Sequence, residues 1–284
     1  MNTLKTLFLM GVLSAMIVAL GSYFGGERGL MMAFGVALVT NFASYWFSDK
    51  MALSMSGAVP VSREDAPQLY AIVDGLADKA NIPTPNVYII PTESPNAFAT
   101  GRDPAHSSIA VTKGIMRILN PTELEAVLAH ELGHVRNRDI LLASIAAVLA
   151  SVVTYIAHWG MYLGGDRDND RGGGNAIFGL LLMILAPIAA ALINLAISRS
   201  REYQADATGA EICGHPEALA SALAKLEYGS ANIPMQTNPA LSSLYIVKPD
   251  QNNWFVSLMS THPPIPERIK RLEAMAHNHR DEAL

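Results

Sequence analysis

The residues from His130 to His134 read His-Glu-Leu-Gly-His, a pattern with metal-binding chemistry. Residues four positions apart in a helix lie on the same face, one turn apart, so the two imidazoles can bind one cation. Glu131 projects close to the same point, which suits a general base acting on a water molecule. The pattern therefore predicts a zinc site that performs hydrolysis.

A catalytic zinc ion normally takes three protein ligands, so a third ligand must lie elsewhere in the chain. Glu202 and Asp206 are again one helical turn apart. We predict that Glu202 is the third ligand and that Asp206 accepts a hydrogen bond from the outer nitrogen of a ligand histidine. The alternative is an ordinary charged turn after a membrane span, held by Arg199 and Arg201.

Half of the residues are hydrophobic, and they are concentrated in four stretches without a formally charged side chain. Each stretch is long enough to cross a hydrocarbon core of roughly 30 Å. We predict two pairs of transmembrane helices, Leu7–Phe24 with Gly29–Phe47 and Ile140–Leu163 with Ile177–Ile197. A cleaved signal peptide is the alternative for the first stretch, but the second apolar stretch follows within five residues, which favours a helical hairpin.

Positive residues flank the helix ends that would share one side of the membrane, and such residues favour the cytoplasm. These residues are Lys5, Lys50, Arg136, Arg138, Arg199 and Arg201. Both termini and the polar regions are therefore expected to be cytoplasmic. Two crossings between His134 and Glu202 would return the chain to the side it left, which agrees with a shared metal site.

The spans divide the chain into four regions. They are an N-terminal transmembrane hairpin at 1–47, a protease region with the HELGH helix at 48–139, a second transmembrane hairpin at 140–197, and a protease region with the third zinc ligand at 198–284. The predicted fold class is thus a mainly α membrane protein, with four transmembrane helices plus a cytoplasmic α+β zinc-protease domain that contains a small sheet.

Apolar periodicity and turn residues predict the elements of the polar regions. They are a helix over 63–80, a strand at Asn86–Ile90, a hairpin of Ala97–Thr100 and Ser108–Thr112, and helices at Pro216–Tyr228 and Pro266–Ala276. Asn120, Pro121 and Glu123 supply an N-cap, a first-turn proline and a capping-box partner. The HELGH helix should therefore begin at this point.

Composition excludes some classes of protein. The net charge of −5 and the lack of a long basic run give no reason to expect binding to nucleic acid. The single cysteine, Cys213, cannot form an internal disulfide. Two histidines and a carboxylate can also hold iron, although Glu131 at this helical spacing favours hydrolysis and therefore zinc.

Four motifs together resemble HtpX-type membrane zinc proteases, which are relatives of the CAAX prenyl endopeptidases. They are Asn96–Gly101, the AHELGH run Ala129–His134, Glu202–Asp206, and Thr261–Pro264 followed by Glu267 and Arg268. The resemblance extends over nearly the whole chain. It implies a gluzincin-like protease domain with one zinc ion on His130, His134 and Glu202 and with Glu131 as the base.

The resemblance implies further roles. Asn96, Ala97, Phe98 and Ala99 would form the edge strand that holds an extended substrate by backbone pairing, whereas the alternative is a plain hairpin strand. His262 is a candidate donor to the oxyanion of the scissile carbonyl, and Arg268 would position Asp206 or substrate. The alternative for these two is a structural turn.

The resemblance also implies a biological setting. The enzyme would be a multi-pass protein of the bacterial inner membrane that degrades damaged or misassembled membrane proteins under envelope stress. Its expected partners are membrane or unfolded protein substrates and the lipid bilayer. Two alternatives stay open, a processing peptidase that cuts at a defined site and a non-catalytic membrane protein with a structural zinc site.

Overall fold

The structure is a computed structural model that describes residues 2–148, 199–233, 235, 241, 243–247 and 263–282. In these ranges the chain is mostly helical and contains one small mixed sheet. Most of the second predicted hairpin lies outside the described residues. Its first part, 140–148, is described and is helical.

The N-terminal helix α1 (Asn2–Met55) consists of two arms that meet at Gly26, where φ is 56° and ψ is −141°. The arms run antiparallel, as a hydrogen bond between them shows. Asn41 Nδ2 in the second arm donates to Ser14 Oγ in the first arm at 2.6 Å. They also approach closely near the turn, where a Cβ on Gly21 would lie 2.2 Å from the Cβ of Ala33. The residues of the predicted N-terminal hairpin therefore form two antiparallel helical arms, and their crossing of a membrane stays a prediction.

The second arm of α1 exposes a long apolar surface. Within the described ranges, one segment, Gly25–Met55, is long and apolar enough to cross a membrane, judged by length and composition alone. Its exposed large side chains include Met31, Met32, Phe34 and Val39. A contiguous apolar surface of this kind is unusual on a soluble monomer and suits contact with lipid. The number of spans and the side on which each end lies stay predictions.

The sheet has four strands, β1 (Val59–Pro60), β2 (Asn86–Ile90), β3 (Ala97–Gly101) and β4 (Ser107–Thr112), in the order β1-β2-β4-β3. β3 pairs with β4 antiparallel, which confirms the predicted hairpin, and a short 3-10 helix, Pro104–His106, lies between them. β2 pairs with β4 parallel. β3 is therefore an edge strand, so one row of its backbone groups faces away from the sheet.

Besides α1 and the 140–148 helix, the described residues form six α-helices. They are α2 (Pro67–Ala80), α3 (Lys113–Ile118), α4 (Pro121–Arg136), the Glu202 helix (Arg199–Cys213), the 216–232 helix (Pro216–Asn232) and the Arg268 helix (Ile265–Glu282). The helix predicted over 63–80 begins only at Pro67, because Ser62 and Asp65 form a turn closed by a 2.8 Å hydrogen bond. α3 and β1 were not predicted. The helix predicted to end at Tyr228 continues to Asn232.

The helix α4 lies at the centre of the core. Its residues Val127, Leu128, Leu132 and Val135 are fully buried, and it packs against α2, β3, the Glu202 helix and the 216–232 helix. A second cluster joins Ala52 and Leu53, at the end of α1, to Phe98, Ala147 and Tyr245. The base of the hairpin is thus packed against the sheet and against the 140–148 helix.

Candidate active site

The start of α4 is fixed by a capping box, as predicted. Asn120 Oδ1 accepts from the backbone N–H of Glu123 at 2.9 Å, and Glu123 Oε2 accepts from the backbone N–H of Asn120 at 3.0 Å. The Glu123 carboxylate also accepts from Ser221 and Lys225 of the 216–232 helix, each at 2.7 Å. These contacts fix the rotation of α4 about its own axis. That rotation determines the direction in which its histidines point.

Two glycines let α4 and the Glu202 helix come close together. A Cβ on Gly209 would lie 2.8 Å from the backbone N and Cα of His130, and a Cβ on Gly133 would lie 3.0 Å from the carbonyl oxygen of Ala205. Side chains at either position would push the helices apart, most severely at Gly209. The close approach is what carries Glu202 to the imidazoles of α4.

The structure brings His130, His134 and Glu202 together, with one potential ligand atom from each within 4.8 Å of the others. Glu202 Oε1 lies 3.5 Å from His134 Nε2, and Glu202 Oε2 lies 3.9 Å from His130 Nε2. Tetrahedral zinc with bonds of about 2.0–2.2 Å requires ligand separations of about 3.3–3.6 Å. The His134–Glu202 separation lies within this range, and the cluster as a whole, with its three ligand atoms within 4.8 Å of one another, has to contract to hold one zinc ion.

The outer nitrogen of His130 faces Asp206. His130 Nδ1 lies 2.9 Å from Asp206 Oδ1, so the ring is oriented with Nε2 toward Glu202. Arg268 donates to both oxygens of Asp206, from Nη2 at 2.6 Å and from Nε at 2.9 Å. All three side chains are almost completely buried. Arg268 thus lies where it neutralises Asp206 and fixes the carboxylate that orients His130.

Glu131 lies beside the cluster and is 2 % exposed. Its Oε2 accepts a 2.9 Å hydrogen bond from the backbone N–H of Ala99 in the edge strand β3. Without a metal ion, burial raises the pKa of Glu131 to about 8, and the charge of Glu202 acts in the same direction. Such a carboxyl group is poised to take and return a proton near neutral pH.

Asp139 is a site residue that the sequence interpretation missed. Its Oδ2 lies 3.4 Å from Nδ1 of His134, and the carboxylate is 7 % exposed. Burial disfavours the charged form of His134, but the hydrogen bond that His134 donates to Asp139 and the charges of Glu202 and Glu131 outweigh this and raise its pKa to about 9. In contrast, burial and the positive charge of Arg268 lower the pKa of His130.

These pKa shifts predict proton release when the site binds metal. Near pH 7 the metal-free site holds protons on His134 and Glu131, whereas a metal ion requires neutral His134 and favours ionised Glu131. We expect these two side chains to release about one to two protons per zinc at pH 7, and this contribution to fall as the pH rises through about 9, with zinc affinity weakening as the pH falls. Calorimetric titrations in two buffers of different ionisation enthalpy measure this number; a value near zero at pH 7 would show the shifts to be wrong.

The edge strand β3 lines the cleft through Ala99, and the backbone groups of Ala97 and Ala99 contact different parts of the protein. Ala99 directs its N–H to Glu131, whereas the Ala97 carbonyl accepts from the Ile246 N–H at 3.1 Å. The buried Asn96 side chain donates to the Val247 carbonyl at 2.7 Å and accepts from the Val247 N–H at 3.3 Å.

Phe98 points to the opposite face and packs against Tyr245 with its ring centroid 5.2 Å away. The end of β3 near Asn96 is therefore bound by the chain itself. His262 lies outside the described residues.

Residues 63–276 match the family model described as Peptidase family M48. The chain belongs to this family. The Protease HtpX homolog of Pelotomaculum thermopropionicum is 52 % identical over 280 residues, covering 97 % of this chain and 100 % of that protein. The Protease HtpX homolog of Thermococcus sibiricus is 50 % identical over 281 residues, covering 97 % and 96 %.

A solved structure, that of S. mikatae Ste24p, is 20 % identical with a TM-score of 0.49 and covers 95 % of this chain and 65 % of that one. Family membership makes the chain a zinc-dependent metalloprotease, because members of this family are metalloproteases that use zinc. The apolar helix Gly25–Met55 agrees with a membrane protease. The predicted recognition, enzyme class and zinc cofactor are thus confirmed.

Proposed function

We propose that this metalloprotease cuts peptide bonds within damaged or misfolded membrane proteins, as an endopeptidase of envelope quality control. The observation that carries the proposal is the composition of the cleft. His130, Glu131 and Glu202 line one side of it, and Ile140 and Ala143 line another. The latter two belong to the 140–148 helix, which is the start of the predicted membrane span Ile140–Leu163, so the scissile bond would lie close to the bilayer surface.

The proposed chemistry assigns one role to each group. His130, His134 and Glu202 hold zinc, which when bound lowers the pKa of a water molecule to about 7 and polarises the scissile carbonyl. Glu131 takes the proton of the attacking water and gives it to the leaving amine. Its burial and its hydrogen bond from Ala99 keep the carboxylate in one orientation beside the cluster.

Substrate would bind along β3. In this proposal the Asn96 side chain and the Ala97 carbonyl anchor residues 246–247, of which Ile246 lines the cleft, while Phe98 packs against Tyr245. Because the Ala99 N–H is donated to Glu131, the Ala99 carbonyl is then the backbone group of the strand that pairs with an extended peptide. Backbone pairing reads peptide geometry rather than sequence, which suits an enzyme with varied unfolded substrates.

Two further roles belong to the same proposal. Arg268 holds Asp206, which orients His130, as their two-point hydrogen bonding supports. His262 donates to the oxyanion that forms on the scissile carbonyl. His262→Ala should therefore depress turnover far more than zinc content, and equal loss of both would remove the oxyanion role.

The proposed topology has four membrane spans, with hairpins at 1–47 and 140–197, and with the protease regions 48–139 and 198–284 and both termini in the cytoplasm. The N-terminal hairpin supports it, because the two arms return the chain to the side from which it started. The positive residues that flank these ends favour the cytoplasmic side of the bacterial inner membrane.

The proposed function can be tested in liposomes with one membrane protein in two forms, a stable parent and a destabilised variant with the same cleavable segments. We expect the zinc-loaded enzyme to cut the destabilised form at several sites and at least about tenfold faster, since an extended strand must enter the cleft. The Glu131→Gln variant is the matched control. A single cut made at equal rates in both forms would favour a processing peptidase, and zinc retention without any cleavage would favour a structural zinc site.

A further inference from the structure

The ring of His134 has a carboxylate at each of its two nitrogens. Nε2 lies 3.5 Å from Glu202 Oε1, inside the candidate metal cluster, and Nδ1 lies 3.4 Å from Asp139 Oδ2. Asp139 and Glu202 are both buried, and His134 is mostly buried. A ring held in this way can bind a metal ion through Nε2 while Nδ1 donates a hydrogen bond to Asp139.

We propose that Asp139 is a positioning residue for the zinc site, which accepts the Nδ1–H of His134 and thereby orients Nε2 toward the metal. This inference rests on the proposed role of His134 as a ligand. Each of the two histidines then has a carboxylate at its Nδ1, because Asp206 Oδ1 lies 2.9 Å from Nδ1 of His130 in the same way. Carboxylates that accept from the outer nitrogen fix the tautomer of a ligand histidine and make it a stronger base.

The backbone places Asp139 beside His134 through an unusual turn. The helix α4 ends at Arg136, and Arg138 takes a left-handed conformation with φ of 58°. The Asp139 N–H then donates to the His134 carbonyl at 3.0 Å, so the two residues are tied together by backbone as well as by side chain. Because the chain reverses here rather than continuing α4, the Asp139 carboxylate turns back toward the ring of His134.

Asp139 also begins the next helix. Its carbonyl accepts from the Ala143 N–H at 3.2 Å, which starts the 140–148 helix. The first residue of this helix, Ile140, and Ala143 line the cleft next to the histidines. The carboxylate that faces His134 is therefore fixed to the helix that begins the second predicted membrane hairpin.

A buried cation completes the arrangement. Arg201 is 7 % exposed, lines the same cleft, and interacts electrostatically with both Asp139 and Glu202. Arg268 holds Asp206 through two hydrogen bonds, whereas Arg201 acts on Asp139 and Glu202 through its charge. Each histidine thus has one carboxylate at its outer nitrogen and one buried arginine in the same cluster. Arg201 lies on the Glu202 helix, which packs against α4, and Arg268 lies on a helix that packs against the Glu202 helix and the 216–232 helix.

Asp139→Ser and Asp139→Asn separate orientation of His134 from capping of the 140–148 helix. Serine, asparagine and aspartate are all good N-cap residues, so both variants keep the cap. Serine is too short to reach His134, whereas asparagine keeps an acceptor without the charge. Asp103→Ser is the matched control, because Asp103 also caps a short helix and also contacts a histidine, His106, but lies on the surface.

The measurements are the zinc dissociation constant, obtained by competition with a chelator, and the visible absorption bands of the cobalt-substituted protein. We expect Asp139→Ser to raise the dissociation constant 10–100-fold and to shift the cobalt bands, Asp139→Asn to raise it less, and Asp103→Ser to change neither. Unchanged affinity and bands in Asp139→Ser would overturn the inference. If that variant does not fold, unchanged affinity in Asp139→Asn overturns it.

The variant His134→Ala distinguishes this inference from the proposed function on which it rests. If His134→Ala does not weaken zinc binding, the proposed ligand set is wrong. If His134→Ala abolishes zinc binding while the Asp139 variants bind as the parent does, the ligand set stands and only the role of Asp139 is lost.

Discussion

Glu131→Gln is expected to reduce kcat/KM for peptide cleavage by about 10²–10⁴-fold, the range typical for loss of a general acid–base residue. Glutamine has nearly the same shape and can still accept the 2.9 Å hydrogen bond from Ala99, so the cleft should keep its geometry. It cannot take a proton from water. The zinc content should stay near one per chain, because Glu131 is not among the three clustered ligand residues.

The comparison requires parent and variant with equal metal content, assayed on one unfolded substrate in detergent. Glu125→Gln is a matched control on the same helix, because Glu125 is a partly exposed carboxylate that pairs with Lys79 at 3.2 Å, away from the cluster. It should cleave as the parent does. Equal activity in parent and Glu131→Gln would mean that another group acts as the base.

Arg268→Met is expected to cost about 3–5 kcal/mol of the unfolding free energy, measured on zinc-free protein by denaturant titration in detergent. Arg268 is 1 % exposed and Asp206 is 2 % exposed, so the substitution leaves a buried carboxylate without its cation. In the parent protein, burial alone would raise the pKa of Asp206, but the charge of Arg268 and the hydrogen bond with His130 lower it below its usual value.

The cause of this loss can be separated from simple loss of packing. Adding Asp206→Asn to Arg268→Met removes the buried charge and should recover part of the stability. Arg271→Met is the control on the same helix, because Arg271 is half exposed and pairs with Glu267 at the surface. A small effect of Arg268→Met, or no recovery in the double variant, would show that the buried ion pair is not what stabilises this part of the protein.

The elements that could be predicted from the sequence are those fixed by local interactions. The capping box at Asn120 and Glu123 predicts the start of α4, since both hydrogen bonds join residues three apart. The β3–β4 hairpin and β2 follow from short apolar runs with turn residues between them. Glu202 was placed near the histidines by the chemistry of zinc and by the topology, and the structure brings these residues together.

The features that escaped prediction depend on distant contacts or on backbone conformation. The parallel pairing of β2 with β4 joins segments that are not neighbours in the chain. The anchoring of Val247 on Asn96 spans 151 positions. Asp139 lies only five residues from His134, but its approach requires the left-handed turn at Arg138, and an arginine does not indicate such a turn as a glycine would.

The most direct test of the account is a zinc titration of the metal-stripped protein, in which bound zinc and peptide cleavage are followed in the same samples. We predict that activity rises in proportion to bound zinc and reaches its plateau at about one zinc per chain, as expected for one catalytic site. The same titration of Glu202→Gln should show weakened binding and little cleavage. Cleavage by the metal-free parent, or full activity in Glu202→Gln, would contradict the assignment of His130, His134 and Glu202 as the site of a zinc protease.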